Sequence, residues 1–194
     1  KDGWFLSRTG YTGEDGFEIG LPESEAVEFA NKLTADERVE WIGLGARDSL
    51  RLEAGLCLYG HDIDTMTNPV EAALTWGIQK VRRAGGERAG GFPGADRILA
   101  EFDDGAARRR VGLLPDTRAP MRAGTVLYAD AQGDAPIGEV TSGAFGPSIE
   151  KPMSMAYVTT PHASTGTVIY GDVRGKRLPA TVAAMPFRAA TYKR

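Results

Sequence analysis

Cysteine and histidine are scarce in this sequence, with Cys57 as the single thiol and only His61 and His162 as imidazoles. One cysteine excludes an internal disulfide, and Cys57, set between Leu56 and Leu58, reads as a reduced, packed thiol. Two histidines far apart in the chain exclude a zinc cluster, so His61-Asp62-Ile63-Asp64 reads as a solvated turn and no metal site is expected. Neither histidine accompanies a Gly-x-Ser-x-Gly elbow, which argues against a hydrolase triad. No apolar run approaches the roughly 20 residues that span a bilayer, and Lys1-Asp2-Gly3-Trp4 lacks a signal-peptide pattern, so neither a membrane partner nor export is expected. The net charge is only −3, with acids and bases interspersed, so a broad positive field for a nucleic-acid backbone is missing too. The local exceptions, Lys80, Arg82, Arg83 and Arg88 and then Arg108-Arg109-Arg110, read as solvated surface. Gly43-Leu44-Gly45-Ala46-Arg47-Asp48 lacks the third glycine of a dinucleotide fingerprint. The Gly85–Gly91 loop lacks the lysine and hydroxyl residue that end a phosphate loop, and reads as a flexible surface excursion.

What is present is an ordinary globular balance, 42% hydrophobic and 25% charged, in 194 residues. A chain of this size buries roughly 70% of its unfolded surface and needs neither metal nor disulfide to hold a core. Its opening, Trp4-Phe5-Leu6 with no initiator methionine, predicts a chain that starts inside a larger protein and leaves a strand edge unpaired. Residues 4–11 and Phe17–Leu21, joined by the glycine-rich turn Thr12–Gly16, predict a hairpin. Pro22 opens a helix with Ala26, Val27, Ala30 and Leu33 at helical spacing and acids in the first turn. A short Trp41-Ile42 strand should precede a second helix with Ala46, Leu50 and Ala54 on one face, Arg47 and Arg51 on its polar face, and Gly55 or Gly60 at its close. Asn68, Pro69 and Glu71 have the chemistry of N-cap, first helical residue and third-position acid for a helix through Leu74, and another helix is expected from near Pro93 through Leu99.

The pattern changes near residue 105. Six short β-rich runs follow, at Val111–Leu114, Thr125–Tyr128, Ile137–Thr141, Met155–Val158, Thr167–Tyr170 and Ala180–Met185, separated by turn residues. They predict a small antiparallel barrel or sandwich, and hence an α+β chain of two units, residues 1–104 and 105–194, of which the first is incomplete.

Two polar residues stand out from this background. Glu18 is flanked by Phe17 and Ile19, and strand alternation aims its side chain to the face opposite theirs, which by itself is an ordinary solvent-facing position. Arg47 lies in the first turn of a helix, where the dipole mildly disfavours a cation, so it calls for an anionic partner, with the neighbouring Asp48 as the simplest.

Three runs, Ser7 through Glu18, Gly45 through Leu56, and Tyr59-Gly60-His61-Asp62-Ile63-Asp64, together resemble one family. With Asn68–Ala72, Gly138–Gly143, Pro147-Ser148 and Met185-Pro186-Phe187, all in the family's order, they make the whole chain similar to the T-proteins of the glycine cleavage system, the aminomethyltransferases. The resemblance implies the latter part of a folate-binding α+β domain followed by a C-terminal β-barrel, acting on tetrahydrofolate as co-substrate and on the lipoyl-bearing H-protein as partner, without metal. It implies a pteridine-facing Glu18, a wall formed by Tyr11, a folate-facing Arg47 and, near the more variable tail, Tyr192. The family's catalytic aspartate belongs to the N-terminal half, so no catalytic residue is assigned here, and a piece of this kind is expected to be inactive alone. A bacterial cytoplasm is the expected compartment, or a mitochondrial matrix in a eukaryote. The same fold serves folate-dependent demethylases of dimethylglycine, sarcosine or sulfoniopropionate, and a non-catalytic folate-binding module is the third reading. The folate-binding iron–sulfur assembly factors carry a Lys-Gly-Cys-Tyr-x-Gly-Gln run that this sequence lacks.

Overall fold

The computed structural model describes residues 2–192. Its first element is the expected hairpin in reduced form, β1 (Phe5–Ser7) against β2 (Glu18–Gly20), antiparallel, with Leu6 opposite Ile19. Helix α1 (Glu23–Thr34) follows with Pro22 at its N-cap, and α2 (Leu44–Glu53) starts after Gly43. The Trp41-Ile42 strand does not form; both side chains are exposed, and no ladder is available to these residues. Among the described residues the only sheets are the hairpin and the barrel, and a lone extended dipeptide satisfies no backbone hydrogen bonds.

The end of α2 is built on Gly55, whose φ of +68° suits a residue without a Cβ. The Leu56 amide reaches back to the Arg51 carbonyl and the Gly55 amide to the Leu52 carbonyl, the paired closure that glycine at this position permits. The segment at Asn68 is corrected from a helix to a single turn. Its cap is as expected, since the Asn68 side chain accepts from the amides of Val70 and Glu71, but Ala73 enters the left-handed region at φ 55° and ends the turn at once. The following helix, α3 (Ala95–Asp104), starts slightly later than Pro93 and buries Ile98.

All six β runs of the second half form strands: β3 (Arg108–Pro115), β4 (Val126–Tyr128), β5 (Pro136–Gly146), β6 (Lys151–Thr159), β7 (Val168–Val173) and β8 (Lys176–Ala183). They close into an antiparallel barrel in the order β3-β6-β5-β4-β7-β8, with Val111 opposite Ala156 and Leu113 opposite Val182. Alternate residues fill it, among them Val111, Leu113, Val140, Val158, Ile169 and Val182, with Leu127 and Met121. Gly143 is required by proximity, since a Cβ there would lie 1.8 Å from the Met121 carbonyl oxygen.

Strand β6 is buried along nearly its whole length because both of its faces are covered. Its Met153 and Met155 point away from the barrel interior and pack with Leu52 of α2 and Ala144 of β5, flanked by Ile149, Met185 and Phe187. This second core joins α2 to the barrel wall. Glu53, also buried, accepts from the amides of Ser148 and Ile149 in the β5–β6 turn, while its own carbonyl accepts from the amides of Phe187 and Arg188. The chain after β8 is thereby drawn back across α2 toward the N-terminal hairpin.

Candidate functional site

That return creates the site. Arg188 and Thr191 both donate to the carboxylate of Glu14, in the turn between β1 and β2, and so tie the C-terminal segment to the hairpin. Between them lies an open cleft of about 680 Å³, walled by Arg8, Thr9, Gly10 and the Gly13–Gly16 turn on one side, by Ala54, Leu56 and Trp76, and by Pro186 and Tyr192 on the other. Trp76 offers its ring almost fully to solvent. Apolar and aromatic surface with a few polar groups is the usual make-up of a small-molecule site.

Of the four residues singled out from the sequence, Tyr192 lines this cleft. Glu18 is exposed and reaches its rim through Thr9, whose hydroxyl lies 2.6 Å from Glu18 Oε2 and 2.9 Å from Ser7 Oγ. Tyr11 and Arg47 pair with each other, the guanidinium carbon 4.9 Å from the ring centroid, within cation–π range. Neither lines the cleft, so Glu18 and Arg47 share no wall of it. The Tyr11 hydroxyl donates to the Cys57 carbonyl, and burial raises its pKa, which keeps it in the protonated, donating form at neutral pH. Burial likewise raises the Cys57 thiol.

The simple partner for Arg47 is corrected. Asp48 turns to Arg51 instead, accepting from its Nε at 2.8 Å, and no carboxylate among the described residues lies within ion-pairing distance of Arg47. An exposed cation with an aromatic seat and no anionic partner is free to meet an anion.

Three further expectations are overturned together. Arg51 is not on a polar face, Asp62 is not in a solvated turn, and Arg110 is not on a solvated surface; their exposures are 2%, 1% and 5%. Arg51 Nη1 donates to Asp62 Oδ2 at 2.6 Å and to the Leu56 carbonyl at 3.2 Å, and its Nη2 donates to Ser142 Oγ at 2.8 Å. Asp62 also accepts from the Leu58 amide, from Thr141 and from Ser142. Thr141 and Ser142 are chain neighbours, which in a regular strand would face opposite ways. A bulge between Val140 and Ser142 inserts Thr141 and lets both hydroxyls reach one carboxylate. Tyr157 of β6 completes the set by donating to the Asp62 carbonyl at 2.7 Å. Arg110 spans the same seam, donating to the carbonyls of Ala72 and Gly55. Arg108 pairs with Glu71 and lies over the Tyr157 ring. The glycine loop after residue 84 is held rather than loose, since Arg82 donates to the carbonyls of Arg88 and Gly90. Nothing local in the sequence signals the burial of Arg51: a cation in the last turn of α2, three residues after an acid, is equally at home on an exposed helix face.

Among the described residues no group of three or more His, Cys, Asp or Glu is arranged to hold a metal ion, and no helix is long and apolar enough to cross a membrane.

A hairpin-and-helix unit joined to a closed barrel, with a cleft beneath the returning C-terminal segment, has known counterparts. The family model for the GCVT N-terminal domain matches residues 3–82, and that for the glycine cleavage T-protein C-terminal barrel domain matches residues 108–188. The chain is 49% identical over 190 residues to the mitochondrial aminomethyltransferase of Flaveria trinervia and 46% identical over 190 residues to that of Solanum tuberosum, in each case over 97% of this chain and 45% of the relative. The crystal structure of glycine cleavage system aminomethyltransferase T from Bartonella henselae superposes with a TM-score of 0.92 at 50% identity, covering 100% of this chain and 52% of that one. The chain belongs to the glycine cleavage T-protein family. It spans about half the length of the relatives it matches.

Proposed function

We propose that this chain supplies the folate-facing hairpin, the C-terminal barrel and the seam between them in a tetrahydrofolate-dependent aminomethyltransferase. The observation that carries the reading is the cleft under the returning tail, with Tyr192 and Trp76 in its walls and Glu18 held at its rim by Thr9. The residues present fit a reduced folate. Thr9 engages Oε2 of Glu18 alone, so the other carboxylate oxygen remains to accept from the adjacent N–H groups of a pteridine edge. Arg47, seated on Tyr11 and lacking an acidic partner, suits the carboxylates of a glutamyl tail. Flat apolar surface from Trp76 and Tyr192 suits the rings between.

In the reaction, the aminomethyl group carried on the lipoyl arm of an H-protein loses its amino group as ammonia, and the methylene passes to tetrahydrofolate to give 5,10-methylenetetrahydrofolate. This chain's part is binding and orientation, and we assign the acid of the chemical step to the family's N-terminal half and to no residue here. The unit boundary falls at residues 104/105, in the short link between the end of α3 and the start of β3. The compartment is a bacterial cytoplasm on the likeness to the Bartonella henselae structure, although the plant relatives are named mitochondrial.

Calorimetric titration of tetrahydrofolate into the intact protein tests the assignment. Glu18→Ala and Arg47→Ala should each weaken binding roughly ten- to a hundredfold, the loss expected for a charge-assisted contact. Unchanged affinity in both variants would remove them from the site.

A further inference from the structure

Segment 56–58 runs from the end of α2 toward the buried ion pair, and three consecutive backbone groups along it are engaged by side chains. Arg51 Nη1 holds the Leu56 carbonyl, the Tyr11 hydroxyl holds the Cys57 carbonyl, and Asp62 Oδ2 holds the Leu58 amide. Arg51 and Asp62 also hold each other at 2.6 Å, with side-chain exposures of 3% and 0%. A buried ion pair is costly to assemble and contributes little net stability compared with an apolar replacement, so its placement invites a positional role. Here the pair grips the residues on either side of the one carbonyl that anchors Tyr11. Tyr11 in turn seats Arg47.

We propose that Arg51 and Asp62 are positioning residues for ligand binding: by clamping Leu56 and Leu58 they set the Cys57 carbonyl, which sets the Tyr11 ring and through it the guanidinium of Arg47. The relay rests on the folate reading for its purpose, and on the geometry alone for its existence. It also gives the β5 bulge a consequence. Thr141 and Ser142 of the barrel orient the Asp62 carboxylate, so the barrel wall takes part in shaping the tyrosine wall of the other unit. The remaining charged group facing Arg51 is Asp48, whose contacts are with Nε and Nη2 and leave the Nη1 grip on Leu56 and Asp62 intact.

The test combines a spectroscopic and a binding readout in the intact protein. With fluorotyrosine incorporated, the Tyr11 resonance is assigned by its loss in Tyr11→Phe. It should shift in Asp62→Asn and stay in place in Ser154→Ala, a control that removes a buried barrel hydrogen bond to the Met121 carbonyl and lies outside the relay. A resonance that does not move in Asp62→Asn overturns the relay, and one that moves equally in Ser154→Ala reduces it to general destabilisation and overturns it too. For tetrahydrofolate affinity by calorimetry, Asp62→Asn and Tyr11→Phe should each weaken binding about three- to tenfold, and the double variant should be no weaker than the worse single one. Additive losses would mean the two act separately. Should Asp62→Asn fail to fold, Arg51→Lys takes its place in both readouts, because it keeps the charge but loses the forked grip on Leu56 and Asp62. A shifted resonance with tetrahydrofolate affinity unchanged in Glu18→Ala and Arg47→Ala would sink the folate reading instead, and leave the relay standing as geometry.

Discussion

The two halves of the chain bury their apolar residues very differently. In the barrel, six strands close on themselves and large side chains such as Leu113, Leu127 and Ile169 are wholly covered. In the first hundred residues α1 buries nothing, β1 and β2 are largely exposed, and Phe5, Leu6, Phe17, Val27, Trp41, Ile42, Leu44 and Trp76 all stand more than 60% exposed. Closure explains the contrast: a barrel has no edge and one interior, so its alternating residues satisfy one another, whereas a two-stranded hairpin has two edges and needs a further layer. Much of what the first half does bury is at its seam with the barrel, where Leu52, Arg51, Glu53 and Asp62 are covered. The first half of this chain is thus organised by the second.

Substitutions can break that contrast or sharpen it. The largest effect is expected inside the barrel, where Leu113→Ala should cost about 2–5 kcal/mol in denaturant unfolding, since the side chain is wholly buried in the barrel core. A cost below about 1 kcal/mol would mean the barrel is looser than its closure implies. Asn68→Ala, which removes the cap of the single turn beside the seam and the contact from Asn68 Nδ2 to Glu101, should be intermediate, about 1 kcal/mol by the same measurement. The smallest effect is expected for Val27→Ala on the uncovered helix. It should fall within about 0.5 kcal/mol of the parent, and a larger loss would show that this face is covered in solution.

Much of the architecture was legible in the residues. Short β-rich runs between turn residues located all six barrel strands, helical spacing and acids after Pro22 located α1, and glycines located the hairpin turn and the end of α2. The Asn68 cap was legible as well, but not its early termination, because a left-handed alanine is imposed by surroundings rather than by propensity. Of the site, Glu18, Arg47, Tyr11 and Tyr192 came from the family resemblance, and the fold ties Tyr11 to Arg47 and places Tyr192 in the cleft. The grip of Arg51 and Asp62 on segment 56–58 was not foreseen. Asp62 meets Thr141 and Ser142 some 80 positions away, a distance at which local pattern carries no signal.

The sequence by itself determined where most strands, helices and turns fall, because side-chain period, capping and glycine are local properties of the chain. Only the tertiary structure decided which charges are buried. Arg51, Asp62 and Arg110 look like surface residues in isolation, and their burial is tolerable only once carbonyls, hydroxyls and opposite charges from distant segments surround them.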